Sequence, residues 1–338
     1  MSILELAKDS FVYGIGHIMA RLITFLLLPI LTLSLSTYEF GVISKFYAFT
    51  GFSMAFFRYG MDTALMKYYI DSKDPSIYFS SILVLQVCTS ILFSLILMMG
   101  ASYISNFIFG IYNVLFIQYL IIIIFSDIIW NLIIVTLRVE KKPVQFVLIN
   151  FMNVLSIVFL TIYLVNYKLM GVHGVLTANL FGSLFTLIIT LFLLINRFSI
   201  KKISLNIIKP VVKFGLPFLP AALFAMTLES ADKFILSYLM GDHYVGIYAA
   251  NYKLGIFGLL IVMAFNMGWT PYFLKNGKKH NSDRTFSMIQ TFFLGMFGYL
   301  GILLTTIIPK IINIEIMGYR LIGSDFLEGI YILPFILL

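Results

Sequence analysis

The chain has 338 residues, 61% of them hydrophobic and 11% charged, with a formal net charge of +8 and a mean hydropathy of +1.00. A soluble domain of this length cannot hide so much apolar surface, which excludes a water-soluble globular protein. The basic residues lie in short connections rather than in one patch, so the charge reads as membrane topology and not as nucleic-acid binding.

A bilayer core of about 30 Å needs about 20 apolar residues per crossing helix. Lipid offers no partners to backbone amides, so only helices or closed barrels span it. Long unbroken apolar runs such as 114–134 predict helices, because barrel strands alternate over roughly 10 residues. The fold class predicted is an all-α polytopic membrane protein. Spans fall near 10–33, 38–59, 77–101, 113–137, 145–166, 174–196, 212–238, 245–268 and 286–308, and a tenth begins near 326. The first span follows Lys8 and Asp9 and runs on past Leu35 with no small-residue cleavage site, so it does not read as a signal peptide. Ser36-Thr37-Tyr38-Glu39 is a capping-box pattern that starts the second span. The lone Cys88 excludes an intrachain disulfide and a cysteine metal cluster and reads as a packing residue.

Lysine and arginine collect in alternate connections. Lys8, then Arg58, Lys67 and Lys73, then Arg138, Lys141 and Lys142, belong to one side. So do Arg197, Lys201, Lys202, Lys209 and Lys213, followed by Lys275, Lys278, Lys279 and Arg284. That makes 16 against 4 (Lys168, Lys233, Lys310 and Arg320) on the other side. The positive-inside rule then predicts a cytoplasmic N-terminus.

An internal repeat with an offset of about 200 residues is also legible. Phe40-Gly41-Val42-Ile43 matches Val245-Gly246-Ile247-Tyr248, Tyr47 matches Tyr252, and Tyr13-Gly14-Ile15 answers Phe214-Gly215-Leu216. Residues 58–67, around Gly60, resemble 266–275, around Gly268. The offset covers six spans, an even number, which predicts two parallel-repeat lobes around a central cavity. The expected division is a six-helix lobe over 1–200, a basic amphipathic linker over 201–213 on the inner leaflet, and a second, apparently truncated lobe over 214–338. The alternative is chance likeness among apolar helices and a natural end with a short re-entrant segment.

No Walker loop, zinc spacing, nucleophile elbow or cofactor fingerprint is present. His17, His173, His243 and His280 are scattered through different elements. The connections on the less basic side are short, so no enzyme is expected. The informative residues are charges at membrane depth, each costing about 2.5–3.5 kcal/mol at a helix centre. Arg21 lies in span one, Lys45 in span two, Lys253 in span eight, and Lys233 towards the outer end of span seven. One reading pairs these charges structurally, Glu229 with Lys233 at i,i+4 and Asp127 with Arg21 or Lys45. The other makes Arg21, Lys45 and Lys253 the lining of a hydrated cationic cavity for an anionic substrate. Asp127 is a candidate coupling-ion site or a helix–helix hydrogen-bonding partner of Asn131. Pro217 and Pro220, after Gly215, are either a hinge or an ordinary helix start. The aromatic residues read mainly as interface belts.

Three stretches together resemble the bacterial polysaccharide (O-antigen or capsule) flippases of the multidrug/oligosaccharidyl-lipid/polysaccharide exporter superfamily. The first runs from Leu6-Ala7-Lys8-Asp9-Ser10 through Tyr13-Gly14 to Leu35-Ser36-Thr37-Tyr38-Glu39-Phe40-Gly41. The second is Gly60-Met61-Asp62-Thr63-Ala64-Leu65 before Lys67-Tyr68-Tyr69. The third is Lys213-Phe214-Gly215-Leu216-Pro217, followed by Ser230-Ala231-Asp232-Lys233-Phe234-Ile235-Leu236 and Gly246-Ile247-Tyr248. Lys67 and Lys233 stand where that family often has arginine, which keeps charge but loses the planar fork. The family normally has twelve to fourteen spans, more than are counted here. The resemblance implies a lipid-linked oligosaccharide substrate on undecaprenyl diphosphate, moved between leaflets of the bacterial plasma membrane by alternating access. Membrane lipids and polysaccharide assembly proteins are the implied partners, with no cofactor and no nucleic acid. Arg21, Lys45 and Lys253 become candidates for the substrate head, and Lys233 for an outer vestibule. The rival readings are a cation-coupled multidrug or small-molecule exporter and a membrane sugar transferase or polymerase.

Overall fold

A computed structural model describes residues 14, 16, 18–110, 113–276, 282–312 and 320–337. Among them 90% are helical and none is in a strand. The structure is that of an all-α polytopic membrane protein. Lys8, His17, Lys278, Lys279 and His280 lie outside the described residues, as do Tyr13 and Ile15.

The helices are α1 (Ile18–Ser34), α2 (Thr37–Arg58), α3 (Met61–Asp71), α4 (Pro75–Met99), α5 (Ala101–Phe109) and α6 (Val114–Val139). There follow α7 (Pro143–Ile162), drawn out by a π-turn to Tyr167, α8 (Gly171–Ile195), α9 (Ile208–Gly215), α10 (Phe218–Met240) and α11 (Asp242–Tyr252). After a 3-10 turn at Lys253–Gly255 come α12 (Ile256–Asn276) and α13 (Ser282–Ile312), and a 3-10 stretch, Ser324–Ile332, leads into α14 (Leu333–Leu337). Among the described residues seven helices are long and apolar enough to span a membrane, or eight with the bent α9–α10 pair counted as one. Within the described residues α1 is an apolar helix of fewer residues.

The starts are set by local chemistry. Ser36 and Glu39 form the expected capping box: Glu39 N–H donates to Ser36 Oγ (3.3 Å), and Ser36 N–H to Glu39 Oε2 (2.9 Å). Pro75 and Pro143 open α4 and α7, where a missing N–H costs nothing. Two departures from the sequence expectation stand out. The connections 60–74 and 100–112 contain helices of their own, α3 and α5, too short to cross a bilayer. The seventh span, expected over 212–238 with Pro217 and Pro220 as either a hinge or an ordinary helix start, begins with a separate short helix, α9, and bends by 43° into α10.

The connections gather at two ends. The basic end holds Glu140 with Arg197 (2.6 Å) and Asp74 with Lys202 (2.8 Å). The far end joins Ser34 to Asn166 (2.9 Å) and Gly323 N–H to Thr32 Oγ1 (3.1 Å). Between them lie three apolar cores, one of them built on Phe46, Phe109 and Phe116, whose ring centroids are 5.2–6.4 Å apart.

α2 is fastened at both ends by contacts that only glycine permits. At the far end a Cβ on Gly41 would collide with the carbonyl of Asp242, and one on Gly246 with the carbonyl of Thr37. Each glycine thus lies over the carbonyl four residues before the other. This reciprocity is what a two-fold axis through the α2–α11 crossing produces, and it pairs the two glycines that the repeat equates. At the basic end Gly60, with φ +77, abuts the carbonyl of Gly215. An L-residue there would meet both a steric and a backbone penalty.

Gly246→Val should therefore lower stability by about 1–3 kcal/mol, the range for forced overpacking. Gly295→Ala, where an added Cβ meets nothing within 4 Å, should leave it unchanged or slightly raised. Melting temperatures of the purified variants in detergent check the contrast.

Candidate functional site

Between α1 and the α11–α12 junction lies a cavity of about 580 Å³. Ala20, Arg21, Thr24 and Phe25 form one wall, and Tyr252 and Lys253 part of the other. Phe297 of α13 and Ile336 and Leu337 of α14 complete the lining. The 3-10 turn Lys253–Gly255 interrupts the long helix at the cavity wall. The bare backbones of Gly255 and Gly258 admit the side chains of Ile336 and Leu337, which brings α14 close.

Two cations face this otherwise largely apolar space. Lys253 is partly buried, with Nζ 5.1 Å from the centroid of the Phe40 ring. Arg21 is exposed along the opposite wall. Among the described residues no ion pair to a carboxylate involves either of them. A cation–π contact recovers only about 0.5–2 kcal/mol, far less than a desolvated charge requires. The cavity therefore carries positive charge that an anion would offset.

The other sequence candidates are placed elsewhere. Lys45 lies outside this cavity and is 4% exposed, its Nζ 2.6 Å from Asp242 Oδ1. It also donates to Ser237 Oγ (3.0 Å), whose hydroxyl donates to Asp242 Oδ1 (2.5 Å). Its charge is neutralised inside the α2–α10–α11 contact, which corrects the expectation that it lines the cavity. Lys233 is also not in the lining. It donates to the Glu229 carbonyl (3.0 Å) and lies 3.6 Å from Asp232 Oδ1, so its carboxylate partner is Asp232 rather than Glu229. Its ammonium is 5.5 Å from the Tyr252 ring, whose residue does reach the cavity.

Asp127 pairs with neither Arg21 nor Lys45. It accepts from Trp130 Nε1 (2.8 Å) and bonds with Ser183 across to α8. Asn131, the other expected partner, acts instead on Asp62, whose carboxyl it helps to hold down. Pro217 caps α10 and Pro220 falls in its first turn, directly at the 43° bend.

Several polar residues escaped sequence reasoning, some of them because their partners are remote in the chain. Asp242 opens α11, where an acidic residue suits the helix dipole; nothing local reveals that Lys45 will meet it. At the basic end Arg58 Nη1 lies 3.4 Å from Asp62 Oδ2. Burial pushes the Asp62 carboxyl up, against the opposing pull of Arg58, Asn131 and Arg138. Glu140 accepts from Arg197 Nε (3.0 Å) and Nη2 (2.6 Å), from Lys142 (2.7 Å) and from the Tyr69 hydroxyl (2.8 Å). Burial raises its pKa, but the bonds from Arg197, Lys142 and Tyr69 outweigh that and hold it down at about 2. Burial and the same carboxylate push Tyr69 up to about 12.

The stretches that carried the family resemblance meet one another in space. Gly60 rests on Gly215, Met61 reaches Gly215, and Lys67 Nζ stands 3.9 Å from the Phe214 ring. The Tyr248 hydroxyl donates to Asp232 Oδ2 (2.5 Å), joining two segments of the third. Helices of this length and composition define a multi-pass membrane protein. The family described as polysaccharide biosynthesis protein matches residues 6–276. The chain belongs to that family and, with it, to polysaccharide biosynthesis or export. No curated protein matches the chain.

Lys45→Met leaves Asp242 without its counter-ion and should cost about 3–5 kcal/mol, whereas Lys45→Met with Asp242→Leu should recover most of that loss. A double-mutant cycle of melting temperatures reads the coupling. Glu140 supplies a pH test. Its folded value lies below the ordinary 4.5, so its stabilisation is complete above about pH 4.5 and disappears as pH falls through about 2. Glu140→Gln should flatten the loss of melting temperature over that window and lower stability at neutral pH.

Proposed function

We propose that the protein is a flippase. It would translocate oligosaccharide units carried on undecaprenyl diphosphate from the cytoplasmic to the outer leaflet of the bacterial plasma membrane for surface polysaccharide synthesis. The supporting observation is the cavity between α1 and the α11–α12 junction, where Arg21 and Lys253 have no carboxylate partner among the described residues. A diphosphate crossing hydrocarbon needs its charge offset, and two cations at membrane depth supply this. Arg21 offers a planar fork and Lys253 a point charge, so they would hold the diphosphate while the sugar occupies the cavity and the prenyl chain stays in lipid. The positive-inside rule puts the basic end and the N-terminus in the cytoplasm. The bend at Pro217 and Pro220 is the candidate hinge for alternating access, with Lys233, beside Tyr252, towards the outer mouth. In this reading the protein is a transporter and not an enzyme. Its partners are the lipid-linked substrate, membrane lipids and polysaccharide assembly proteins.

The test is complementation of a host strain lacking the gene. Arg21→Ala and Lys253→Ala should each reduce exported surface polysaccharide about tenfold or more, the loss expected for one charge-assisted contact of about 1.5–3 kcal/mol. Lipid-linked intermediate should accumulate on the cytoplasmic side, and Arg21→Lys should retain more activity than Arg21→Ala. Normal export by both alanine variants at wild-type protein levels would sink the proposal. Drug efflux without an export defect would favour the multidrug reading, and sugar transfer by the purified protein the transferase reading.

A further inference from the structure

The segment between α8 and α10 does more than connect them. It is held firmly against the basic end: Ser199 N–H donates to Ser80 Oγ and Ser204 N–H to Ser81 Oγ, both at 2.9 Å. The Tyr68 hydroxyl donates to the Pro210 carbonyl (3.3 Å), and Val211 is fully buried in the core beneath. What it turns outward is mixed in character. Leu205, Ile208, Lys209, Val212 and Lys213 line a shallow groove of about 580 Å³. Leu205 is 77% exposed, and both lysines are exposed.

The lysines of this segment divide into two kinds. Lys202 is engaged, donating to Asp74 Oδ1 (3.0 Å) and Ser76 Oγ (2.7 Å). Lys209 and Lys213 have no carboxylate partner among the described residues. They are four residues apart on α9 and so share one face. Two residues beyond α9 the chain enters the apolar span α10, and Leu216 and Phe218 continue the exposed apolar surface. The groove therefore lies where a bilayer surface begins, lined by two cations and three apolar residues.

We propose that this groove binds an anionic phospholipid of the bilayer. Lys209 and Lys213 hold its headgroup phosphate, and Leu205, Ile208 and Val212 contact the first carbons of an acyl chain. Lysine as a compact charge on a long stem suits a lipid phosphate at the interface. The inference needs only residence in a membrane and is independent of what the central cavity carries.

The test uses the full chain purified in neutral detergent at low ionic strength, with melting temperature as the readout. Dioctanoyl phosphatidylglycerol should raise it by several degrees, and dioctanoyl phosphatidylcholine or inorganic phosphate by far less. In Lys209→Gln/Lys213→Gln the phosphatidylglycerol increment should fall by more than half. Lys209→Arg/Lys213→Arg should keep it. Arg21→Ala/Lys253→Ala should also keep it, which separates this groove from the cavity. Lys202→Gln should lower the starting temperature and leave the increment intact. The proposal is overturned if the glutamine double variant keeps the full increment. It is equally overturned if phosphate or phosphatidylcholine reproduces the effect.

Discussion

The approach of α2 to α11, backbone against backbone at Gly41 and Gly246, is the constraint on which the arrangement rests. Inside lipid there is no hydrophobic force to drive helix on helix, so close packing and polar contacts must supply the association. Here both act within two turns. The glycines let the helices meet, and Lys45, Ser237 and Asp242 close a buried polar triad beside them. Thr37 Oγ1, 2.5 Å from His243 Nδ1, adds a further contact at the same crossing. Because α11 runs through the Lys253 turn into α12, the crossing also sets where the cavity wall stands.

The intramembrane charges therefore fall into two groups with different physical meanings. Lys45 and Asp242 cancel each other in a dry contact, and such a pair specifies which helices meet more than it adds net stability. Arg21 and Lys253 share a cavity, and no such cancellation is found for them among the described residues. The first group fixes geometry and the second creates an electrostatic demand. Total charge in the spans does not distinguish them; only the positions of the counter-ions do.

Much of the architecture is legible in the residues because lipid imposes a simple rule: long apolar runs become helices. The spans at 37–58 and 75–99 end within about two residues of their expected limits. The capping box at Ser36 and Glu39 is likewise a local pattern. The helices α3 and α5 are harder, since neither is long enough to register as a span. The bend ahead of α10 is signalled by Pro217 and Pro220 but not its angle. At the site, Arg21 and Lys253 can be picked out by their cost at membrane depth. Lys45 satisfies the same criterion and serves another purpose, because its partner lies 197 positions away in the chain, at Asp242. Asp127 and Asn131, one turn apart, invite a pairing that the structure replaces with Trp130, Ser183 and Asp62.

The double fastening of α2 has a geometric corollary. Gly41 is set against α11 and Gly60, just past α2, against α9, so this side of the bundle is stitched at both ends. The seam between α1 and α13, where Arg21 and Phe297 meet the cavity, has no comparable stitch among the described residues. On the flippase reading proposed above, the prenyl chain of the substrate would trail out sideways on the α1–α13 side, where the described residues show no such fastening. The hydrophilic part would travel like a card drawn through a reader.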